Sequence, residues 1–319
     1  MSAELHRNYL DRYIDSLISQ RKLSQHTVTN YTRDLSVLFK FIDDSTSHSS
    51  IASVTHFQIR KFAAQLHGRG LSARSIARKL SAWRGFFEWL AQETPIATNP
   101  VTGIKAPKRT KPLPKALSAD DAIHLMSSEG VNDATHLCNL AMFELLYSSG
   151  LRVSELVGLD VRYFHDIEHT SLGWIDLNER TVTVKGKGEK MRSVPVGGPA
   201  IEAITLWLKV RPSLLKANTE PLFLTERGTR MSIRLVQLRI KAHAQRLGML
   251  TNVHPHVLRH SFASHVLQSS GDLRAVQEML GHSSIASTQV YTSLDFQHLA
   301  QIYDAAHPRA KKKDRLGSK

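Results

Sequence analysis

Cysteine and long apolar runs are nearly missing from this sequence. Its only cysteine, Cys138, has no partner for an intrachain disulfide, which favours a reducing compartment. No uncharged run approaches the ~20 residues of a membrane-spanning helix. The N-terminal stretch MSAELHRNYLDRY carries charges where a signal peptide has an apolar segment. These absences predict a cytoplasmic protein that does not enter a membrane.

Acidic residues are also scarce relative to basic ones. The chain has 42 lysines and arginines against 28 aspartates and glutamates, which gives a formal net charge of +14. Such a balance favours polyanionic partners, with nucleic acid ahead of an anionic membrane surface. Hydrophobic residues make up 41% of the 319 residues, an ordinary share for a globular protein. At roughly 100–200 residues per domain, this length predicts two domains.

Residues 1–93 are expected to form four helices, and the second and fourth show clear helical spacing. Ser24 and Ser72 are candidate N-caps of these two helices. The predicted apolar stripes are Tyr31, Leu35, Leu38, Phe39 and Ile42 in the second helix and Ile76, Leu80, Trp83, Phe87 and Leu90 in the fourth.

Cations are concentrated in the second half of this helical unit. A charged helix face is usually just solvated surface. So many cations in one small unit nevertheless favour a face that lies along DNA phosphates, with Arg74 and Arg78 as the DNA-binding candidates. The cations concerned are Lys61, Arg69, Arg74, Arg78 and Arg84, and those expected to fall off the apolar stripe of the fourth helix are Arg74, Arg78, Lys79 and Arg84.

The composition changes in residues 94–117, TPIATNPVTGIKAPKRTKPLPKAL. Five prolines prevent a continuous helix, and the segment is strongly basic. It is therefore predicted to be an extended interdomain linker that follows a DNA backbone. Lys108 and Arg109 are its DNA-binding candidates.

The second domain is expected to span residues 118–319, beginning with Ser118 as an N-cap. An apolar helix across Cys138 should end at Gly150. In the following stretch, GLRVSELVGLD, Arg152 stands at the front of a new helical turn, where backbone donors are exposed.

Strand-like segments follow, first WIDL and then RTVTVKGKGEKMRSVPV, which alternates on both sides of a Gly-Lys-Gly turn and so predicts a β-hairpin. Lys187 lies in that turn. A turn lysine between glycines is usually a surface residue, and a glycine-rich lysine loop also suggests nucleotide binding. The P-loop spacing GxxxxGK[ST] is absent, which disfavours nucleotide hydrolysis.

The segment SIRLVQLRIKAHAQRLGM predicts a basic amphipathic helix that faces a DNA groove. The residues expected to pack inward are Ile233, Val236, Ile240 and Ala244, and those expected to point outward and bind DNA are Arg234, Arg239 and Lys241.

The strongest chemical signal lies between His254 and Tyr291. His256 and Arg259 are three positions apart, so on a helix both project from one face, and Pro255 suits its first turn. A cation that never deprotonates beside a titratable donor suits a phosphodiester whose non-bridging oxygens gain charge during displacement. His282, directly after the helix end expected at Gly281, supplies another donor, and Tyr291 is then the candidate nucleophile.

Other interpretations remain for these residues. His256, His260 and His265 could be ligands of a metal-dependent nuclease, although no convincing carboxylate partner lies near them. A non-enzymatic DNA-binding regulator would explain the charge and the helices, but it leaves the ordered Arg, Lys, His, Arg, His, Tyr set without a purpose. A single tyrosine is also more often a core or interface residue than a nucleophile.

The motifs HVLRH, LGHSS and VYTSL, in this order, resemble the tyrosine recombinase (lambda-integrase-type) family. The resemblance implies a mainly α fold with a small β-sheet: a helical core-binding domain, then an α+β catalytic domain. It also implies that the C-terminal helix carrying Leu299, Ile302 and Tyr303 docks onto a neighbouring protomer. The implied catalytic set is Arg152, Lys187, His256, Arg259, His282 and the nucleophile Tyr291, with Glu155 as a supporting residue.

The resemblance further implies a mechanism and partners. The enzyme would cut and rejoin DNA through a 3′-phosphotyrosyl intermediate, without a metal or other cofactor. Its expected partners are a double-stranded, dif-like recombination site at which chromosome dimers are resolved, a paralogous recombinase in a heterotetramer, and the FtsK translocase. No membrane partner is expected.

Overall fold

The computed structural model divides the chain into two compact units, Met1–Pro112 and Leu113–Lys319. The structure describes residues 2–20, 23, 25–45, 51–94, 96, 98–108, 116–126, 133–186, 190–216, 220–281 and 293–310. None of the helices within these ranges is long and apolar enough to cross a membrane.

The first unit contains the four helices expected from the sequence. They are α1 (Ser2–Ser19), α2 (Gln25–Asp43), α3 (His56–Gly68) and α4 (Ala73–Glu93), with a 3₁₀ turn at Ile51–Ser53. Ser72 caps α4, since its side chain accepts a hydrogen bond from the Ser75 backbone at 3.2 Å. The apolar stripe predicted for α4 is buried throughout. The other predicted cap, Ser24, lies outside the described residues.

A buried carboxylate corrects one expectation for α4. Lys79 was predicted to lie off the packed face, but it is buried and its Nζ donates to Asp34 Oδ1 at 2.8 Å. Arg78 donates to the other carboxylate oxygen, and the Trp83 indole donates to the Asp34 carbonyl at 2.8 Å. Because an unpaired buried charge is costly, the Asp34 carboxylate on α2 draws Lys79 into the core and is also paired by the more exposed Arg78.

Both ends of the predicted linker belong to the cores of the two units. Val101 and Ile104 are buried among the helices of the first unit, and Asn99 Nδ2 donates to the Arg84 carbonyl at 3.0 Å. Leu117 is buried in the second unit, where its backbone N–H donates to Ser261 Oγ at 2.8 Å. Apolar residues at both ends of the predicted linker thus pack into a core, while residues 109–115 lie outside the described residues.

The second unit is helical with one small sheet. Its helices are α5 (Ala119–Met126), α6 (Ala134–Ser149), α7 (Val153–Val157), α8 (Gly198–Val210), α9 (Ile233–Arg246), α10 (Pro255–Ser270), α11 (Leu273–Leu280) and α12 (Ser293–Ala306), with a 3₁₀ turn at Arg211–Leu214. Its strands are β1 (Gly173–Asp176), β2 (Thr181–Lys185) and β3 (Met191–Pro195). The mainly α fold with a small sheet is thus confirmed.

The three strands form an antiparallel sheet in the order β1-β2-β3. Val182 lies opposite Val194, and Val184 lies opposite Arg192. All four of these side chains are buried, as expected for alternate residues on one face of a sheet. The predicted hairpin is confirmed, while Lys187 in its turn lies outside the described residues.

Helix α6 runs through the core of the second unit and ends where the sequence predicted. Cys138 is buried in it, and burial raises the pKa of this thiol to about 12. Gly150 ends the helix with a left-handed backbone, φ 57°. A Cβ at Gly150 would lie 2.3 Å from the Phe262 ring, so this turn needs a glycine for space as well as conformation.

The apolar face of helix α9 follows the prediction except at its first residue. Val236, Ile240 and Ala244 are buried, but Ile233 is 40% exposed, so its inward placement was wrong. Ile233 directly follows the cap Ser232, and Met231 is the apolar side chain that enters the core at this end.

Helix α12 packs on the unit from which it emerges. Leu299 and Tyr303 are buried against α10 and β3, and the Tyr303 hydroxyl lies 2.6 Å from Ser148 Oγ. Just beyond the helix, Arg309 pairs with the buried carboxylate of Glu144. The expected docking of this helix onto a neighbouring protomer stays a prediction.

Candidate active site

Arg152 lies where α6 gives way to α7. The left-handed turn at Gly150 ends α6, and Arg152 is the N-cap residue of α7 with an extended backbone, φ −70° and ψ 147°. Its backbone N–H donates to Glu155 Oε2 at 2.8 Å, and its Nη1 donates to Glu155 Oε1 at 2.7 Å. Its Nη2 donates to the Gly281 carbonyl at 3.2 Å. The guanidinium is thereby fixed while part of it remains exposed.

Arg259 reaches the same place from the second turn of α10. Its Nη1 donates to the Gly150 carbonyl and its Nη2 to the Leu280 carbonyl, both at 2.6 Å. These carbonyls lie at the C-terminal ends of α6 and α11, where the helix dipole favours a cation. Burial, and then the charge of Arg152, lower the pKa of Arg259 to about 10, so it stays protonated at neutral pH.

Arg192, which the sequence reasoning did not single out, completes the cluster from β3. Its side chain is only 4% exposed. Nη1 and Nη2 donate to the two oxygens of Glu155 at 2.9 Å each, and Nε donates to the Met279 carbonyl at 3.0 Å. The signal that could have found it is its register: it lies on the inner face of the hairpin beside Val194, where a cation needs a buried partner.

Glu155 is the buried carboxylate that the arginines surround. Burial alone would raise the pKa of Glu155, but the hydrogen bonds and charge of Arg192, followed by those of Arg152, outweigh burial and lower it. Arg259 Nη1 lies 4.0 Å from Glu155 Oε2. Three guanidinium groups against one carboxylate leave two positive charges in the cluster. That excess suits a phosphodiester, and an ionised Glu155 suits orientation rather than proton transfer.

His256 lies one turn before Arg259 on α10, and its side chain is exposed. Its ring centroid is 6.1 Å from that of His254, the N-cap residue of the helix. Burial, and then the neighbouring His256, lower the pKa of His254. His256 is therefore a surface residue of the helix that also carries Arg259.

The histidines of the nuclease alternative do not converge. His265 Nδ1 lies 2.8 Å from the Tyr147 hydroxyl inside the unit, while His256 and His260 are exposed. In the part of the chain that the structure describes, no three His, Cys, Asp or Glu side chains are grouped so as to hold a metal ion. The i and i+4 spacing of His256 and His260 is thus a surface feature of α10.

The remaining three predicted catalytic residues, Lys187, His282 and Tyr291, lie outside the described residues. Two of their chain neighbours are described. Gly186 closes the hairpin, with its N–H donating to the Lys190 carbonyl at 2.8 Å. Gly281, which precedes His282, ends α11 with φ 65° and contacts Arg152 through its carbonyl.

The predicted DNA-binding residues differ in their surroundings. Arg74, Lys108, Arg234 and Lys241 are exposed, and Arg109 lies outside the described residues. Arg78 is partly exposed and pairs with buried Asp34. Arg239 was expected to point outward, but its side chain is 13% exposed and donates to Asn139 Oδ1 at 3.1 Å. That expectation was wrong, because Asn139 on α6 and Glu226 hold the guanidinium against the unit.

The second unit thus combines a mainly helical fold and a small sheet with three guanidinium groups around an ionised glutamate, a surplus of positive charge that suits a phosphodiester. Residues 115–298 match the phage integrase family, and residues 10–94 match the N-terminal SAM-like domain of phage integrases. The chain belongs to the phage integrase family. It is a tyrosine recombinase, an enzyme that cleaves and rejoins DNA.

Curated relatives cover nearly the whole chain. It is 55% identical over 307 residues to tyrosine recombinase XerC 1 of Ralstonia nicotianae, covering 94% of this chain and 93% of the relative. It is 45% identical over 305 residues to tyrosine recombinase XerC of Pseudomonas aeruginosa, covering 95% of this chain and 96% of the relative.

Solved structures share the fold at low sequence identity. A lambda integrase dimer bound to a COC′ core site aligns with TM-score 0.65 and 19% identity over 89% of this chain and 98% of the other. XerH recombinase bound to a palindromic difH substrate aligns with TM-score 0.65 and 20% identity over 89% of this chain and 81% of the other.

Proposed function

We propose that this recombinase resolves chromosome dimers at a dif-like site, using Tyr291 to form a 3′-phosphotyrosyl intermediate. The observation that carries the proposal is the cluster of three guanidinium groups around ionised Glu155, next to Gly281. It supplies fixed positive charge where a scissile phosphate gains negative charge.

In the proposed reaction, the Tyr291 oxygen forms a bond to phosphorus as the bond to the 5′ oxygen breaks. Arg152 and Arg259 stabilise the non-bridging oxygens, and His256 and His282 donate hydrogen bonds or carry the proton of the nucleophile. Lys187 protonates the leaving 5′ oxygen. An unperturbed tyrosine has a pKa of about 10, so the cationic surroundings must assist its ionisation. The free 5′-hydroxyl of the partner strand later attacks the adduct, so phosphodiester energy is conserved.

The proposed partners follow from the relatives and from the charge. Relatives named XerC at 45–55% identity support a chromosomal role in the cytoplasm. In this role the protein acts in a heterotetramer with a paralogue resembling XerD, and the FtsK translocase regulates it. The net charge of +14 supports extensive contact with DNA phosphates. Arg74, Lys108, Arg109, Arg234 and Lys241 are the proposed contacts, with Arg78 oriented by Asp34.

A nicked suicide substrate tests the nucleophile. The unaltered protein should form a covalent protein–DNA adduct in the presence of EDTA, and Tyr291→Phe should bind the same DNA without forming the adduct. Tyr163→Phe is the matched control, because Tyr163 is an exposed tyrosine of the same unit. A reaction that EDTA abolishes, or an adduct that survives Tyr291→Phe, would overturn the proposal in favour of a metal-dependent nuclease or of another nucleophile.

A further inference from the structure

Arg192 is a buried arginine whose observed hydrogen bonds all point into the protein. Two of its nitrogens form a fork on Glu155, and the third donates to the Met279 carbonyl at the end of α11. With 4% of its side chain exposed, it has almost no surface with which to touch DNA. Arg192 can therefore affect the reaction only indirectly, by positioning Glu155 and the end of α11, to which it is hydrogen-bonded.

The fork decides which lone pairs of Glu155 remain for the other two arginines. Arg152 Nη1 already donates to Oε1 at 2.7 Å, while Arg259 Nη1 stays 4.0 Å from Oε2. If the fork were removed, the carboxylate would be free to turn toward Arg152 and Arg259. Charge-assisted pairs of this kind strengthen at short distance in a buried site. Glu155 would then neutralise the charge that the scissile phosphate needs.

Arg192 also supports the backbone beside Arg152. A Cβ placed on Gly281 would lie 3.0 Å from Arg192 Nη1 and 3.1 Å from its Cζ, so the end of α11 packs directly on this guanidinium. The Gly281 carbonyl in turn accepts from Arg152 Nη2 at 3.2 Å. One buried side chain thus sets both groups that orient Arg152.

We infer that Arg192 is a positioning residue that restrains Glu155, and thereby keeps Arg152 and Arg259 available to the scissile phosphate. The inference rests on the proposed roles of those two arginines. It predicts that the defect left by removing Arg192 comes from the freed carboxylate, so that removing the carboxylate charge as well relieves it.

The experiment compares single-turnover cleavage of the nicked substrate, at saturating DNA, by Arg192→Met, Glu155→Gln and the double variant. Arg192→Met should lower the cleavage rate about 10- to 100-fold, the effect usual for groups that orient ligands at metal sites. The double variant should cleave faster than Arg192→Met, which is the sign of coupled residues in a double-mutant cycle. Thermal unfolding and binding to a DNA half-site give the folded fraction of each variant, and the cleavage rates are expressed per folded molecule. A gain in stability alone therefore does not count as rescue.

Two further measurements keep the outcome decisive. Arg192→Lys retains the charge but not the two-nitrogen fork, so its cleavage rate should lie between those of the unaltered protein and Arg192→Met. If Arg192→Met does not fold, Arg192→Lys takes its place in the comparison. A substrate with sulfur at the 5′-bridging position needs little leaving-group protonation, and it should not rescue Arg192→Met. Arg274→Met, at a surface arginine with a 71% exposed side chain, should retain the full rate.

A double variant no faster than Arg192→Met would overturn the inference and leave Arg192 with a structural role. Selective rescue by the sulfur substrate would also overturn it, because the defect would then lie in the hairpin that carries Lys187. Adduct formation by the unaltered protein through Tyr291, measured in the same assay, tests the proposed function separately.

Discussion

Two buried carboxylates lie five positions apart in the second unit, and their surroundings differ. Glu155 is held by Arg192 and Arg152, with Arg259 close by. Asp160 accepts from Ser171 Oγ at 2.6 Å, His169 Nε2 at 2.7 Å and Arg230 Nη2 at 2.6 Å. For Asp160, too, burial would raise the pKa, but the hydrogen bonds of Ser171, Arg230 and His169 outweigh burial and lower it.

The difference is in the balance of charge. Around Asp160 one guanidinium faces one carboxylate, and that guanidinium also donates to the Val157 and Leu159 carbonyls at 3.1 Å each. These hydrogen bonds connect Arg230 to the end of α7 and to the loop that follows it. The charges of the Arg230–Asp160 pair cancel, so no excess positive charge remains. Around Glu155 three guanidiniums face one carboxylate. Within this second unit, the acid paired with one cation holds the fold together, whereas the acid with a surplus of cations suits the binding of an anion.

The largest expected effect is a loss of cleavage rate, and it should follow removal of an arginine from the Glu155 cluster but not from the Asp160 cluster. Arg259→Ala should lower single-turnover cleavage about 10²–10³-fold, as for the loss of one donor to a developing oxyanion. Arg230→Ala should instead leave Asp160 without its cation and destabilise the fold by about 3–5 kcal/mol. Its cleavage rate per folded molecule, measured where the variant remains folded, should stay near that of the unaltered protein. Equal rate losses in the two variants would break the distinction.

A smaller effect is expected from the acid of the scaffold cluster. Asp160→Asn should lower the free energy of unfolding by about 3 kcal/mol, the lower end for breaking a buried pair, because Arg230 is partly exposed. Urea unfolding at neutral pH measures this difference. If the variant matched the unaltered protein in stability, the pairing at Asp160 would contribute nothing to the fold.

The same variant makes a prediction about pH. The folded-state pKa of Asp160 is lowered, so its stabilisation is fully present above the unfolded-state value of about 3.9 and is lost as the pH falls through the folded-state value. The stability difference between Asp160→Asn and the unaltered protein should therefore hold at pH 5–7 and shrink in more acidic solution. Urea unfolding at a series of pH values checks it, and a difference that grows on acidification would contradict the assignment.

The sequence was sufficient for many of the elements and for the helix boundary at which Arg152 stands. Helical spacing located α4 and α6, and Gly150 and Arg152 marked the boundary between α6 and α7. The hairpin itself also followed from alternation on both sides of its turn. These features are local: they depend on neighbouring residues and on turn chemistry, so a single chain segment contains the information.

The sequence was not sufficient for the cations that turn inward. Lys79 pairs with Asp34, 45 positions earlier, and Arg192 pairs with Glu155, 37 positions earlier. From the sequence alone, a cation beside an apolar stripe is expected to face solvent. It is buried instead only because an acidic residue far away in the sequence lies next to it in the fold. For the same reason the apolar face of α12 was visible in the sequence, whereas the surface that covers it, including Ser148, was not.

The smallest expected effect concerns an exposed pair, Arg274 and Glu278 on α11, which completes the comparison. Arg274 Nε lies 3.1 Å from Glu278 Oε1, one helical turn away, and the arginine side chain is largely in solvent. Arg274→Ala should lower the free energy of unfolding by only about 0.3–0.5 kcal/mol, because water screens the attraction and the side chains lose entropy on pairing.

Raising the salt to about 1 M, where the screening length is about 3 Å, should remove most of that difference. The deficit of Asp160→Asn should survive the same salt, since the Asp160 carboxylate is fully buried. Urea unfolding of both variants at low and high salt measures the contrast. If salt reduced both deficits in the same proportion, burial would not be what distinguishes the pair at Asp160 from a surface pair.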